Sequence, residues 1–212
     1  MKQAWAFDEL HDPETIRRYL SADRLYGAYA LGDLEPSLFP QCRWWLVRRT
    51  AAGNRQDWAL VLCFAGLTPN AIVCFGEPAG VGTVLAWAPL SHEVYLVCRE
   101  EHMKPAGAFM QLPEPHQMAR MFLASGSFRP APTGGVVRLT PDHLDQLRAL
   151  YTLDPVAAGA FAPYQLADGV FYGIEQGGQL VCVAGTHLVA PTEKIGAVGN
   201  IFTHPDHRRQ GL

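Results

Sequence analysis

The sequence predicts a mixed α+β protein in which a mostly antiparallel sheet is flanked by helices. Short apolar runs with strand character alternate with segments that carry helix-capping signals, and this alternation is typical of a mixed fold. Hydrophobic residues make up 49% of the 212 residues and charged residues only 17%, which is the composition of a well-buried globular protein. A stretch rich in glycine, proline and serine, residues 125–135, interrupts the pattern and predicts two domains, 1–127 and 128–212.

Composition and charge argue against several classes of function. The net charge of −3 leaves no basic footprint for a nucleic acid. No apolar run reaches the ~18 residues of a membrane span, and the first residues lack the apolar core of a signal peptide. The five cysteines form no Cys-x-x-Cys pair, which argues against a metal site and favours a reducing compartment. We therefore expect a cytoplasmic protein with no metal, no nucleic-acid partner and no membrane contact.

Capping signals and apolar runs predict the elements of the first half. Asp12-Pro13-Glu14 combines a side-chain cap, a proline at the first helical position and an acidic first turn. Glu77-Pro78 opens a similar segment that extends to about Trp87. The remaining predictions are helices over 24–31 and 116–124, strands over 44–47, 58–67, 71–75 and 93–98, and a turn at Gly53-Asn54. Three methionines are interpreted as core residues: Met110, Met118 and Met121.

The second half restarts with a strand, 136–139, and a helix opened by Thr140-Pro141-Asp142. A short second helix is expected over 154–161. Gly177-Gly178 predicts a hairpin between strands 170–175 and 179–189. The final predicted strand, 195–202, is buried and apolar, and Pro205 ends it because proline cannot donate to a ladder.

A basic, glycine-bearing turn follows the final strand, and such turns suit an anion because main-chain N–H groups point at one spot. With Arg208 in the first place and Gly211 in the fourth, it resembles the acetyl-CoA motif of the GCN5-related N-acetyltransferase (GNAT) superfamily, Arg/Gln-x-x-Gly-x-Gly/Ala. Thr203 lies at the offset that the family uses between strand end and loop. The sixth place would be residue 213, so the motif is incomplete in this sequence. The competing interpretation is a basic surface turn.

The resemblance implies acetyl transfer from acetyl-CoA to a primary amine of unknown identity. Main-chain groups of the final strand would bind the pantetheine arm, at Ile201, Phe202 and Thr203. The basic turn would bind the pyrophosphate, at Arg208, Arg209, Gln210, Gly211 and Leu212. Several relatives carry a glutamate base where this sequence has Ala197, which leaves His187 and Asn200 as catalytic candidates. A histidine tied into sheet hydrogen bonds is the competing interpretation of His187.

The family order is strand, helix, helix, three strands, glycine loop, helix, strand, helix and two strands. Residues 128–212 match only the first part, so we expect impaired activity and an open sheet edge that invites pairing with a second copy. Residues 77–82 repeat the motif spacing with Glu77 in the place of the arginine, where a carboxylate would repel a pyrophosphate. This segment is a plain helix start, a second CoA site, or the trace of a degenerate GNAT-like half. A non-catalytic scaffold or small-molecule-binding module is the alternative function.

Overall fold

The computed structural model describes residues 4–50, 56–124, 126–131 and 134–212. The chain is a mixed α+β protein with two sheets, one in each of two compact units, Met1–Arg120 (unit 1) and Met121–Leu212 (unit 2). The division falls after Arg120, whereas the sequence predicted it after residue 127. None of the helices in the described ranges is long and apolar enough to cross a membrane.

Unit 1 is a five-stranded sheet with helices in its connections. Its elements in chain order are β1 (Ala6–Leu10), α1 (Pro13–Leu20), α2 (Ala28–Gly32), β2 (Cys42–Thr50), β3 (Gln56–Phe64), β4 (Asn70–Gly76), α3 (Pro78–Trp87), β5 (Val94–Val97) and α4 (Glu100–Ala106). The strands lie in the order β1-β2-β3-β4-β5, and all neighbours are antiparallel except β4 and β5, which are parallel.

The predicted capping of α1 and the predicted start of α3 are confirmed. The Asp12 carboxylate accepts from the main-chain N–H groups of Glu14, at 3.3 Å, and Thr15, at 2.9 Å. Helix α3 packs so closely on the sheet that a Cβ at Gly80 would lie 2.7 Å from the Cβ of Ala59. The core beneath it is formed by buried apolar residues of β2, β3, β4 and α3: Trp45, Val47, Ala59, Val61, Ile72, Cys74, Val81 and Val84.

Two elements of unit 1 were not predicted, and one predicted helix is wrong. Strand β1 was not predicted, because it is a half-exposed edge strand whose Glu9 is held by Arg43 at 2.9 Å rather than by apolar packing. Helix α4 was also not predicted. The helix expected over 116–124 is wrong: that segment has no regular secondary structure, and Met118 and Met121 are 89% and 87% exposed instead of lying in the core. A helix there would have no buried apolar face to stabilise it. The turn predicted at Gly53-Asn54 lies outside the described residues.

Unit 2 is a four-stranded antiparallel sheet in the order β6-β7-β8-β9. Its elements are β6 (Val136–Arg138), α5 (Leu144–Tyr151), α6 (Pro155–Ala160), α7 (Pro163–Asp168), β7 (Tyr172–Gln176), β8 (Gln179–Ala190) and β9 (Ile195–Thr203). The predicted hairpin is confirmed, with Gly177 and Gly178 at φ 59° and 77°. Helix α7 was not predicted. Aromatic and aliphatic side chains from all layers form the core: Leu139, Leu147, Leu150, Tyr151, Phe171, Val183 and Phe202.

Candidate functional site

The pairing of β8 with β9 is irregular beside the predicted catalytic residues. The register shifts between Val183 and Gly185 and again between Thr186 and Leu188. On the partner strand, Asn200 has φ 52°, in the left-handed region. Asparagine is one of the few residues besides glycine that adopts this conformation at modest cost. Strand β9 is therefore interrupted by a local bulge at Asn200.

Two side chains and one main-chain carbonyl, from three other elements, hold this bulge. The amide nitrogen of Asn200 donates to Oε1 of Gln165 on α7, at 3.3 Å, and to the carbonyl of Thr186 on β8, at 3.2 Å. The Tyr151 hydroxyl on α5 donates to the Asn200 carbonyl at 2.6 Å. Asn200 is only 8% exposed, so these bonds form where water does not compete freely. The conformation at Asn200 is thus fixed from several sides.

The structure brings His187 and Asn200 together. The main-chain N–H of Asn200 donates to Nε2 of His187 at 3.4 Å, which assigns the proton of the neutral ring to Nδ1. The imidazole lies over Gly199, where a Cβ would be 1.8 Å from its Cδ2, so only glycine admits the ring in this position. Burial lowers the pKa of His187 and keeps the ring neutral. The pair is compatible with a proton acceptor and equally with a histidine bound into the sheet.

We expect His187 to stay neutral at a pH where an ordinary histidine is protonated. Because its folded pKa lies below the ordinary 6.5, the unfolded chain binds more protons. The stability of unit 2 should therefore fall as the pH drops below about 6.5, until the lower folded pKa is passed. Nitrogen-15 NMR of the histidine rings measures the midpoint. The change His187→Gln should flatten the pH dependence of hydrogen exchange in β8 and β9, whereas His92→Gln, at an exposed site in unit 1, should not. A midpoint at or above 6.5 would contradict the burial of the ring.

The predicted phosphate-binding turn begins directly at the end of β9. The main-chain N–H of His204 donates to the carbonyl of Val181 on β8 at 2.8 Å, which keeps the turn against the strand end. The side chain of Arg208 folds back, with its Nε donating to the Thr203 carbonyl at 3.0 Å and its guanidinium 5.5 Å from the Phe202 ring. The N–H groups of residues 206–208 are bonded within the turn. Arg208 therefore stabilises the conformation of the turn in addition to giving it a positive charge.

Residues 209–212 differ from the first part of the turn. Arg209 and Gly211 have φ 63° and 77°, and residues 208–212 are all exposed. Within the part of the chain that the structure describes, the main-chain N–H groups of residues 209–212 donate no hydrogen bond. The Gln210 side chain donates to the Asp206 carbonyl at 3.2 Å. The last four residues thus present main-chain donors beside two arginines.

The other predicted cofactor residues lie on β9, between the bulge at Asn200 and the turn that follows the strand. The side chain of Ile201 is 65% exposed, whereas that of Phe202 is 7% exposed and belongs to the core. The Thr203 hydroxyl contacts Cys182 Sγ at 3.3 Å. Asn200 and Thr203 are three residue steps apart along the strand, or roughly 10 Å. Any ligand role of Phe202 would therefore fall to its main chain.

Sequence reasoning missed Gln165 and Tyr151. Gln165 lies on α7, which was not predicted, and Tyr151 lies in the helix predicted after Thr140-Pro141-Asp142, where it was given no role in the site. The sequence signal that could have found Gln165 is its position two residues after Pro163, the proline that opens α7. From this position the Oε1 of Gln165 also accepts from the main-chain N–H of Ala162 at 2.9 Å. Such a residue is placed to cap its own helix.

The side chains that the structure describes do not gather three histidine, cysteine, aspartate or glutamate groups around a position for a metal ion. His204 and His207 instead stack edge to face, with ring centres 5.3 Å apart. No protein-family model matches the chain, and no curated protein or solved structure is significantly similar to it. Function is therefore argued from the geometry and from the motif.

Proposed function

We propose that unit 2 is a GNAT-like module that binds acetyl-CoA and transfers its acetyl group to a primary amine. The observation that carries the proposal is the turn after β9. It begins at a strand end, contains left-handed residues at Arg209 and Gly211, and leaves the N–H groups of residues 209–212 without partners among the described residues. Unpaired main-chain donors next to arginines suit a pyrophosphate.

The order of the elements supports a tandem arrangement. Unit 1 follows the order strand, helix, helix, three strands, helix, strand, helix, which is the family's order up to its last two strands. Unit 2 follows the same order as far as β9, the third strand after its helices, and has α7 as an additional helix. Two units with the same order favour the interpretation that one is a diverged copy of the other.

Unit 1 lacks the features that would make it the cofactor-binding copy. Glu77, which precedes α3, places a carboxylate where the motif has arginine or glutamine. Beyond β5, the carbonyls of Cys74 and Gly76 on β4 are already bonded, by the Tyr26 hydroxyl at 2.9 Å and by Nε2 of His102 at 2.9 Å. A pantetheine arm would have to displace these side chains. We therefore place acetyl-CoA on unit 2.

In the proposed reaction, the amine nitrogen forms a bond to the acetyl carbonyl carbon and the carbon–sulfur bond of acetyl-CoA breaks. One proton leaves the nitrogen, and the departing thiolate of CoA takes up a proton. His187, neutral and next to the bulge, is the proposed proton acceptor. Its Nε2 takes up the proton when the main-chain N–H of Asn200, which positions the ring, no longer donates to it. The alternative, a non-catalytic scaffold or small-molecule-binding module, is favoured by Ala197, which offers no base on β9.

Acetyl-CoA titration monitored by amide NMR tests the proposal, because NMR detects even millimolar binding. We expect shifts confined to residues 200–203 and 208–212. The change Gly211→Ala puts a Cβ at φ 77° and should weaken binding by about tenfold, which corresponds to ~1.4 kcal/mol. The matched control is Gly196→Ala on β9, where a Cβ meets nothing within 4 Å and binding should not change.

Two results would contradict the proposal. Absence of shifts at residues 208–212 at millimolar acetyl-CoA would remove the turn as a phosphate site. Equal weakening by the two glycine changes would show that binding does not depend on the left-handed backbone at Gly211.

A further inference from the structure

Unit 1 contains a cleft of about 140 Å³ that the acetyl-CoA proposal does not use. It opens between the end of α1, the start of β3, the end of β4 and the start of α4. Four aromatic side chains contribute to its lining: Tyr19, Tyr26, Trp58 and Phe75. Tyr19 and Trp58 contact each other with ring centres 5.1 Å apart, and so do Tyr26 and Phe75. The cleft is therefore walled by two aromatic pairs.

The cleft exists because the two parallel strands of the sheet separate. Val73 and Val97 are their last paired residues, and β4 continues to Gly76 without β5. His102 fills the space below: its Nδ1 accepts from the main-chain N–H of Arg99 at 3.4 Å, so its Nε2 carries the proton that is donated to the Gly76 carbonyl. The floor of the cleft is thus hydrogen-bonded internally and presents no spare donor.

Arg99 and Asp23 are the charged residues that line the cleft. The guanidinium of Arg99 lies 4.4 Å from the Tyr26 ring centre, and its Nη2 donates to the Asp23 carboxylate. Within the described part of the chain, its Nε and Nη1 donate no hydrogen bond. Arginine has five N–H groups in a planar fork, so an ion pair through one nitrogen leaves most of them available to a ligand.

The charge around Tyr26 is positive. Arg120 lies 5.6 Å from the Tyr26 ring centre and 4.6 Å from that of Tyr29. Two guanidinium groups and one carboxylate, that of Asp23, leave a net charge of +1 on these three groups. An organic cation would compete with Arg99 for the face of Tyr26, whereas an anion would be attracted.

We propose that this cleft binds a small planar organic anion, a single-ring aromatic or heteroaromatic carboxylate. The ring would pack among Tyr19, Trp58 and Phe75, and the carboxylate would accept from the free nitrogens of Arg99. The volume is well below the roughly 300–1,000 Å³ of drug-sized pockets, which excludes a nucleotide and suits one ring. The proposal is independent of acetyl-CoA binding, because it concerns different residues in the other unit.

The test titrates benzoate into the full chain and follows the indole NMR signal of Trp58. We expect saturable binding, and at least about tenfold weaker binding of benzamide, which has the same shape without the charge. Arg99→Gln should weaken benzoate binding by a similar factor. The matched control is Arg43→Gln, since Arg43 also pairs with a carboxylate, Glu9, and lies over an indole, 5.0 Å from Trp45, but does not line the cleft.

Three results would overturn the proposal: equal binding of benzamide and benzoate, equal weakening by the two arginine changes, or tighter binding of benzylammonium than of benzoate. If Arg99→Gln unfolds unit 1, the comparison of benzoate, benzamide and benzylammonium on the unchanged chain decides alone. The failure of this proposal would leave the acetyl-CoA titration unaffected, because that titration reads residues of unit 2.

Discussion

Replacing Asp33 with asparagine is expected to stabilise unit 1 at neutral pH and to have little effect near pH 4. Asp33 follows α2, and burial raises the pKa of its carboxyl from 3.8 to about 7. Among the described residues, its carboxylate accepts no hydrogen bond that would offset the desolvation. The native state therefore contains an acid group that is costly to ionise.

The sign of the pH dependence follows from the raised pKa. The folded state binds the proton more tightly than the unfolded state, so stability is highest below about pH 4 and falls as the pH rises towards about 7. The rise of the Asp33 pKa from 3.8 to about 7 corresponds to an upper limit of ~4 kcal/mol of lost stability, which Asp33→Asn should recover at neutral pH.

Tryptophan fluorescence during urea unfolding measures this effect cleanly. All five tryptophans, Trp5, Trp44, Trp45, Trp58 and Trp87, lie in unit 1, so the signal reports that unit alone. Asp23→Asn is the control of opposite sign, because hydrogen bonding to the Tyr26 N–H and pairing with Arg99 hold the pKa of Asp23 below its ordinary value. A loss of stability in Asp33→Asn at neutral pH would show that the ionised carboxylate is stabilising.

Changing Asn200 to alanine should destabilise unit 2 by about 3 kcal/mol. The change removes the two hydrogen bonds of the side-chain amide to Gln165 and Thr186, each worth ~1 kcal/mol. It also places a residue with a Cβ at φ 52°, which costs a further ~1 kcal/mol. Hydrogen exchange of the amides in β8 and β9, read by mass spectrometry, measures the loss.

Asn200→Gly separates the two contributions. Glycine loses the same hydrogen bonds but adopts the left-handed conformation freely, so it should be less destabilising than alanine by about 1 kcal/mol. A glycine variant as unstable as the alanine variant would show that the backbone at Asn200 stores no strain. In both variants we expect His187 to lose its fixed position, since the N–H that it accepts depends on the bulge.

The buried strands and the capped helices could be predicted from the sequence, because their signals are local. Strand β1 could not, because its edge position is stabilised by ion pairs with β2, such as Glu9 with Arg43, rather than by an apolar pattern. The segment 116–124 has helical spacing but no surface in the described structure against which Met118 and Met121 are buried. Local periodicity predicts an element only where the fold provides something to cover its apolar face.

Local sequence patterns are equally limited in predicting the candidate site of unit 2 and the cleft of unit 1. The turn after β9 was found because it is contiguous, and His187 and Asn200 were found individually. Their contact depends on the bulge, which Tyr151 and Gln165 hold from 49 and 35 residues away in the sequence. The cleft in unit 1 is formed by residues of α1, β3, β4 and the start of α4, so no short sequence motif predicts it.

The first strand of each sheet is far in sequence from the strand with which it pairs, and this separation has a consequence for the order in which the strands fold. Ala6 on β1 pairs with Arg48 on β2, and Val136 on β6 pairs with Ile174 on β7, so each pairing closes a loop of roughly forty residues. The hairpin at Gly177-Gly178 closes a far shorter loop and forms at lower entropic cost. We therefore expect meanders of successive strands to form early in both units, and β1 and β6 to join their sheets last during folding and to detach first during unfolding.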